Sequence, residues 1–309
     1  MRWGAPYKGS KNSIAEWVYS HFPKTQNFYD LFAGGCAITQ VALVKSEYRR
    51  YFCNDIDGDG IRLFLDAIYG KFEKETRWIS REEFFRLKDK EPFIKYAWSF
   101  GNNGRDYLYS KELEPYKKSW HYAIYFHDYS LAKDFGLELE TIEPIVAIYD
   151  RYIATKRITE KTLGENMSRH ISLERQQQLE ALNRLQSLQS LQSLQSDYSE
   201  IEILPDSVVY CDIPYLDTNS YGPKNKNTFD YERFYNWCRK QKELVIISEY
   251  QMPEDFIVID EIEKPVMMNS GSDLKAVEKL FIPQHHYSLW KNYKKNDYNL
   301  WEQTAFEFG

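Results

Sequence analysis

"NFYDLFAGGCAITQVALVKSEYRRYFCNDI", residues 27–56, decides the fold. Its aromatic and apolar start (27–35) reads as a strand that runs into the turn Gly34-Gly35. "CAITQVALVKS" (36–46) follows as a helix, and "YRRYFCNDI" (48–56) as a second strand. "GIRLFLDAIYGKF" (60–72) has the spacing of a second helix. Strand, helix, strand, helix is the repeating unit of a parallel sheet. Upstream, "SIAEWVYSHF" (13–22) predicts a helix: Ser13 and Glu16 have capping-box spacing, Ile14, Trp17, Val18 and Phe22 share a face, and Pro23 stops it.

The same alternation returns near the other end. "SVVYCDIPY" (207–215) reads as a strand, "DYERFYNWCRKQ" (230–241) as a helix and "ELVIISEY" (243–250) as a strand, while 256–263 and 277–283 form a terminal hairpin. The middle differs. "SREEFFRLKD" (80–89) predicts a capped helix, "KYAWSFGNNGRDYLYS" (95–110) a hairpin or turn, and 114–135 a helix with Pro115 in its first turn. Residues 140–180 read as helical and charged. In "LNRLQSLQSLQSLQS" (182–196) leucine recurs every three residues, a period that drifts around an α-helix and rarely sustains a long 3₁₀ run. The repeat is read as a helical connector. The expected architecture is one α/β domain built from residues 1–75 and 200–309, with a mostly helical insertion over 76–199.

The 309 residues suffice for a substantial core, and 43% hydrophobic with 28% charged residues is a globular balance. A net charge of −6 argues against non-specific coating of nucleic acid but leaves room for a local basic groove. Cys36, Cys53, Cys211 and Cys238 are far apart, which excludes CxxC metal spacing and fits a reduced compartment. His285-His286 has no neighbouring acid or cysteine pattern, so no metal is expected. Neither a secretory leader nor a run of about 18 apolar residues is present, and a cytoplasmic location without membrane contact is expected.

Three features carry chemistry. Gly34-Gly35 lie at a strand end, where open α/β sheets bind ligands, yet they do not complete a GxGxxG pyrophosphate cradle. Asp55 follows the second strand about twenty residues later, the place of an acid that holds a ribose diol. A nucleoside without pyrophosphate fits both, and S-adenosylmethionine is such a ligand; an aspartate capping the next helix is the simpler alternative. In "PYKGSK" (6–11), Lys11 precedes the first helix and suits a ligand carboxylate, with Tyr7 able to pack on it. In "CDIPY", the Asp212 carboxylate and the Ile213 carbonyl are two acceptors, Pro214 holds Ile213 extended, and Tyr215 offers an aromatic face. Those groups match a planar exocyclic amine. A duplex base would have to be flipped out to reach them.

In this order, "YKGSK" (7–11), "DLFAGGCAIT" (30–39), "NDI" (54–56) and "DIPY" (212–215) resemble the motifs of the Dam-like class of DNA adenine methyltransferases, found in bacteria and phages. "SEYQMP" (248–253) and "EKLFI" (278–282) are similar to its later strands, so the resemblance covers most of the chain. It implies a Rossmann-like seven-stranded sheet with an antiparallel last strand. It implies S-adenosylmethionine as cofactor, bound by Tyr7, Lys11, Phe32, Gly34, Gly35, Asp55, Asp197, Tyr198 and Asp212. It implies methylation of adenine in duplex DNA at a specific site, with Asp212, Ile213, Pro214 and Tyr215 as the catalytic motif. The departure is Ile213, where the family usually has proline: the carbonyl acceptor remains and the fixed φ is lost.

The insertion would then recognise the target. Asn102, Asn103 and Arg105 are side chains that pair with base edges, and Tyr107 or Tyr109 can stack. Lys117, Lys118, Lys224 and Lys226 are candidate phosphate contacts. A cognate restriction endonuclease is a further candidate partner. Two alternatives remain open from the sequence: methylation of a cytosine amine or of RNA, and a DNA-binding homologue weakened in catalysis through Ile213. A nicotinamide oxidoreductase lacks its third glycine.

Overall fold

A computed structural model describes residues 3–72, 74–133, 186–215, 229–265 and 275–293. The strands are β1 Asn27–Asp30, β2 Arg50–Asn54, β3 Leu191–Leu194, β4 Ser207–Asp212, β5 Leu244–Glu249, β6 Phe256–Pro265 and β7 Lys275–Pro283. They form one seven-stranded sheet in the order β3-β2-β1-β4-β5-β7-β6. Strands β1 to β5 are parallel, and β7 runs antiparallel to both β5 and β6. This is the expected α/β sheet with its reversed last strand. The parallel strands β1 and β5 are buried along their whole length, which fits the apolar run Leu244–Ile247 of β5. One apolar layer contains Phe28, Val41, Leu63 and Trp98, and the other Tyr29, Val209, Phe234 and Ile247. Neighbours such as Phe28 and Tyr29 fall on opposite faces because a strand alternates.

Helices α1 Ala15–Tyr19, α2 Ala37–Lys45, α3 Asp59–Ile68, α4 Arg81–Leu87 and α5 Pro92–Ala97 follow in chain order. The helix read over 13–22 shortens to α1, and no side chain caps it. Glu16 instead accepts a hydrogen bond from the Trp3 indole at 3.2 Å. The capping box expected before α4 does form, between Ser80 and Glu83. The helix predicted over 114–135 is α6 Glu114–Phe126, broken at His127 by a left-handed φ of 53° before α7 Ser130–Lys133. The hairpin around Gly101–Gly104 is reduced to a bridge between Ser99 and Tyr107. Phe84, Ile94, Trp98 and Tyr109 join the main core, so these residues pack as one body with the sheet. The reading of residues 140–180 lies outside the described residues.

Over its described residues, 186–196, the Leu-Gln-Ser repeat is not an α-helical connector. After a short 3₁₀ turn over Gln186–Ser190, Leu191–Leu194 becomes the edge strand β3, in register with Tyr51–Asn54 of β2. The open edge of β2 supplies backbone partners that leucine periodicity does not encode. Asn54 then clamps the exit, donating to the Ser196 carbonyl and accepting from its amide, each at 3.0 Å.

Candidate active site

The chain turns to opposite sides of the sheet between β1 and β4, and a cavity of about 890 Å³ opens at the carboxyl ends of these strands. All the residues assigned above to cofactor and catalysis line it. From β1 come Phe32 and the glycine pair. Gly34 has a left-handed φ of 46°, and a Cβ there would lie 2.9 Å from the Tyr7 ring. Gly35 is equally constrained, since its Cβ would meet the Ala5 carbonyl at 2.6 Å. The 4–11 segment therefore lies directly on the turn, and Tyr7 also packs against Tyr96 with ring centroids 5.0 Å apart.

Asp55, at the end of β2, is not a helix cap; Gly58 takes that position for α3. Its two oxygens accept hydrogen bonds from the amides of Gly34 and Asp57, each at 2.9 Å. This ties the glycine turn to β2 and leaves further lone pairs facing the cavity. Burial raises the Asp55 pKa. On the opposite wall, Asp197 caps the 3₁₀ turn Tyr198–Glu200 and pairs with Arg233 at 2.9 Å. Phe32 packs against Tyr198 and Phe229 there.

The catalytic-motif residues are grouped around Lys11. Its ammonium is buried, 2.6 Å from Asp212 Oδ1 and 3.3 Å from Glu278 Oε1, and stands 4.5 Å from the centroid of the Tyr215 ring. Burial works against the Lys11 charge, but the two carboxylates outweigh it and its pKa stands above the ordinary lysine value. The two ion pairs of Lys11 are thus with protein acids, Asp212 and Glu278. Tyr215 donates to Glu278 and packs edge-on against Tyr250, with centroids 4.6 Å apart. Ile213 is buried in the second apolar layer. The Tyr231 hydroxyl donates to the Pro214 carbonyl at 2.8 Å, which steadies the exit from β4.

Two acids escaped the sequence reading. Glu278 lies on β7; its one signal was a carboxylate at the inward parity of Leu280 and Ile282 in "VEKLFIP". Asp30, at the end of β1, accepts from the Thr39 amide and hydroxyl through Oδ2. Its buried Oδ1 has no partner among the described residues, and burial pushes its pKa up to about 7.

The recognition residues fare differently. Tyr107 is buried, with its hydroxyl donating to the Ile79 carbonyl at 2.7 Å, and Tyr109 is buried as well, so neither presents a stacking face. Lys117 is fully buried against Tyr109 and is no phosphate contact; its position on α6 turns it into the core. Asn103 spends its side chain on the turn, accepting from the amides of Arg105 and Asp106 and donating to the Asp106 carboxylate. Asn102, Asn103 and Arg105 do line a second cavity of about 390 Å³, together with Lys8, Asp57 and Lys95, and it borders the first at Tyr7, Lys8 and Asp57. Lys118 is exposed on α6. Lys224 and Lys226 lie outside the described residues. His285 and His286 both face the Gln241 carbonyl at 3.0 Å.

A parallel sheet with one reversed strand at this position, and a cavity walled by the carboxyl ends of its central strands, are the arrangement of the α/β methyltransferase fold. Residues 7–242 match the D12 class N6 adenine-specific DNA methyltransferase family, and the chain belongs to that family. It is therefore an adenine-specific DNA methyltransferase, which sets aside the cytosine and RNA acceptors. No helix among the described residues is long and apolar enough to cross a membrane.

Proposed function

We propose that the protein moves a methyl group from S-adenosylmethionine to the exocyclic amine of an adenine flipped out of duplex DNA at a specific site. The observation that carries this reading is the convergence of Asp55, the glycine turn and Asp212 on one cavity. At about 890 Å³ it has room for a nucleoside and a base side by side. The donor's residues fit: Asp55 offers carboxylate oxygens for a ribose diol, Phe32 and Tyr7 offer ring faces, and Asp197 and Tyr198 close the far wall. When bound, S-adenosylmethionine supplies an electrophilic methyl group.

The chain's own residues prepare the acceptor. Asp212 and the Ile213 carbonyl each accept a hydrogen bond from one amine N–H, which turns the nitrogen lone pair away from ring conjugation and toward the donor. Tyr215 stacks on the base and stabilises the positive charge that develops on nitrogen. Asn102, Arg105 and Lys118 remain candidates for DNA contact, a cognate restriction endonuclease for partnership, and the cytoplasm for location. Incubation with methyl-labelled S-adenosylmethionine and duplex DNA, followed by nucleoside analysis, should yield N6-methyladenine. Asp212→Ala should abolish it. Absence of transfer to every duplex offered, with no change in Asp212→Ala, would sink the proposal.

A further inference from the structure

Glu278 lies outside residues 7–242, the stretch that matches the family. Strand β7 turns Glu278, Leu280 and Ile282 to one side, and all three are buried. Two of them are core hydrophobics, while the third is a carboxylate. Because β7 runs antiparallel to β5, its early residues reach the carboxyl ends of the parallel strands, where the cavity opens. Lys279 sits opposite Glu249, and Leu280 opposite Ser248, which in turn pairs with Asp212.

Glu278 touches two groups of the site directly. It accepts the hydrogen bond of the Tyr215 hydroxyl, and its Oε1 lies 3.3 Å from Lys11 Nζ. It reaches the third group, Asp212, through that same ammonium at 2.6 Å. Stability alone gives little reason for such a residue, since a buried ion pair is often no better than apolar packing of the same volume. Orientation gives two. Tyr215 follows the end of β4, and a hydrogen bond at its hydroxyl fixes the ring at the end farthest from the backbone. Lys11 held by Asp212 alone would take up the oxygen that the substrate amine needs. A second carboxylate shares the ammonium, so that Lys11 spends only part of its donor capacity on Asp212.

We propose that Glu278 is a positioning residue for methyl transfer: it anchors the Tyr215 ring and holds the Lys11 ammonium beside Asp212. This rests on the assignment of Asp212 and Tyr215 to the acceptor base. The test compares wild type with Glu278→Gln, Glu278→Asp, Tyr215→Phe and the Glu278→Gln/Tyr215→Phe double variant, using S-adenosylmethionine and duplex DNA. Glu278→Gln should lower kcat by about tenfold or more while the donor KM stays within about threefold, the pattern of a group acting on the chemical step. Glu278→Asp should recover part of the loss, and the double variant should fall short of the product of the single effects. Unchanged kcat in Glu278→Gln, or purely additive effects, overturns the proposal.

Should Glu278→Gln fail to fold, the Glu278→Asp variant carries the kinetic comparison. A second measurement needs no turnover: in protein labelled with ¹³Cζ-tyrosine, the resonance absent from Tyr215→Phe should move in the Glu278 variants. A stationary resonance overturns the inference even if methylation is seen. If wild type transfers no methyl group to any duplex, the proposed function fails, and the Tyr215 resonance still decides the role of Glu278.

Discussion

Gly60→Ala puts helix propensity and tertiary packing in direct opposition. Gly60 stands in the first turn of α3, where alanine is favoured over glycine by about 1 kcal/mol. In the fold, however, a Cβ at this position would lie 2.1 Å from the Gly34 carbonyl oxygen and 2.7 Å from its carbon. That is about 1 Å inside ordinary contact, and the atoms in the way are backbone rather than a flexible side-chain tip. Overpacking of this kind costs about 1–3 kcal/mol, enough to reverse the propensity gain. Moving Gly34 away also strains the hydrogen bond that its amide donates to Asp55 and the seat of the Tyr7 ring, 3.1 Å from the same Cβ. Gly60→Ala should therefore unfold at lower denaturant than wild type, with a net loss of up to about 2 kcal/mol. Titration calorimetry should show S-adenosylmethionine binding weakened by about tenfold, equivalent to about 1.4 kcal/mol. A variant that gains about 1 kcal/mol and binds the donor as wild type does would refute the close approach of α3 to the glycine turn.

Two further outcomes follow from the same coordinates. Ile213→Pro keeps the carbonyl acceptor and fixes φ, so methylation should be equal or faster. The smaller buried side chain should lower stability by roughly 1 kcal/mol in denaturant melts, and complete loss of methylation would mean that the catalytic motif is misplaced. His286 is buried and its pKa is lowered to about 4 by that burial; its Nδ1 faces the Val245 amide at 3.3 Å, which requires the unprotonated nitrogen. Below pH 6.5 the unfolded chain takes up a proton that the folded chain refuses, so stability present above that pH is lost as the pH falls toward about 4. The stability gap between wild type and His286→Gln should narrow by about 2–3 kcal/mol between pH 7.5 and 4.5, and a constant gap would contradict the buried neutral imidazole.

Residues 27–72, 207–215 and 230–250 were legible because their signals are local. Apolar runs that end in Gly34-Gly35, Asn54-Asp55 and Asp212-Ile213-Pro214 announce strand ends wherever the rest of the chain lies. Strands in parallel leave their carboxyl ends together, so motifs far apart in sequence were bound to share one cavity. Capping at Ser80 was equally readable, since its partner is three residues away. The expected contacts of Tyr107 and Lys117 failed for the opposite reason. Both residue types are at home on a surface, and only packing around Ile79 and Tyr109 shows that these two are buried.

The sequence by itself determined the α/β alternation and the order of the cofactor and catalytic motifs, because each depends on neighbours along the chain. The tertiary structure alone decided two things. The leucine repeat became β3 because β2 had an open edge, and backbone pairing does not depend on leucine spacing. Glu278 entered the site because a reversed strand carries its first residues to the end where parallel strands finish, and that direction is set by sheet pairing rather than by any local pattern.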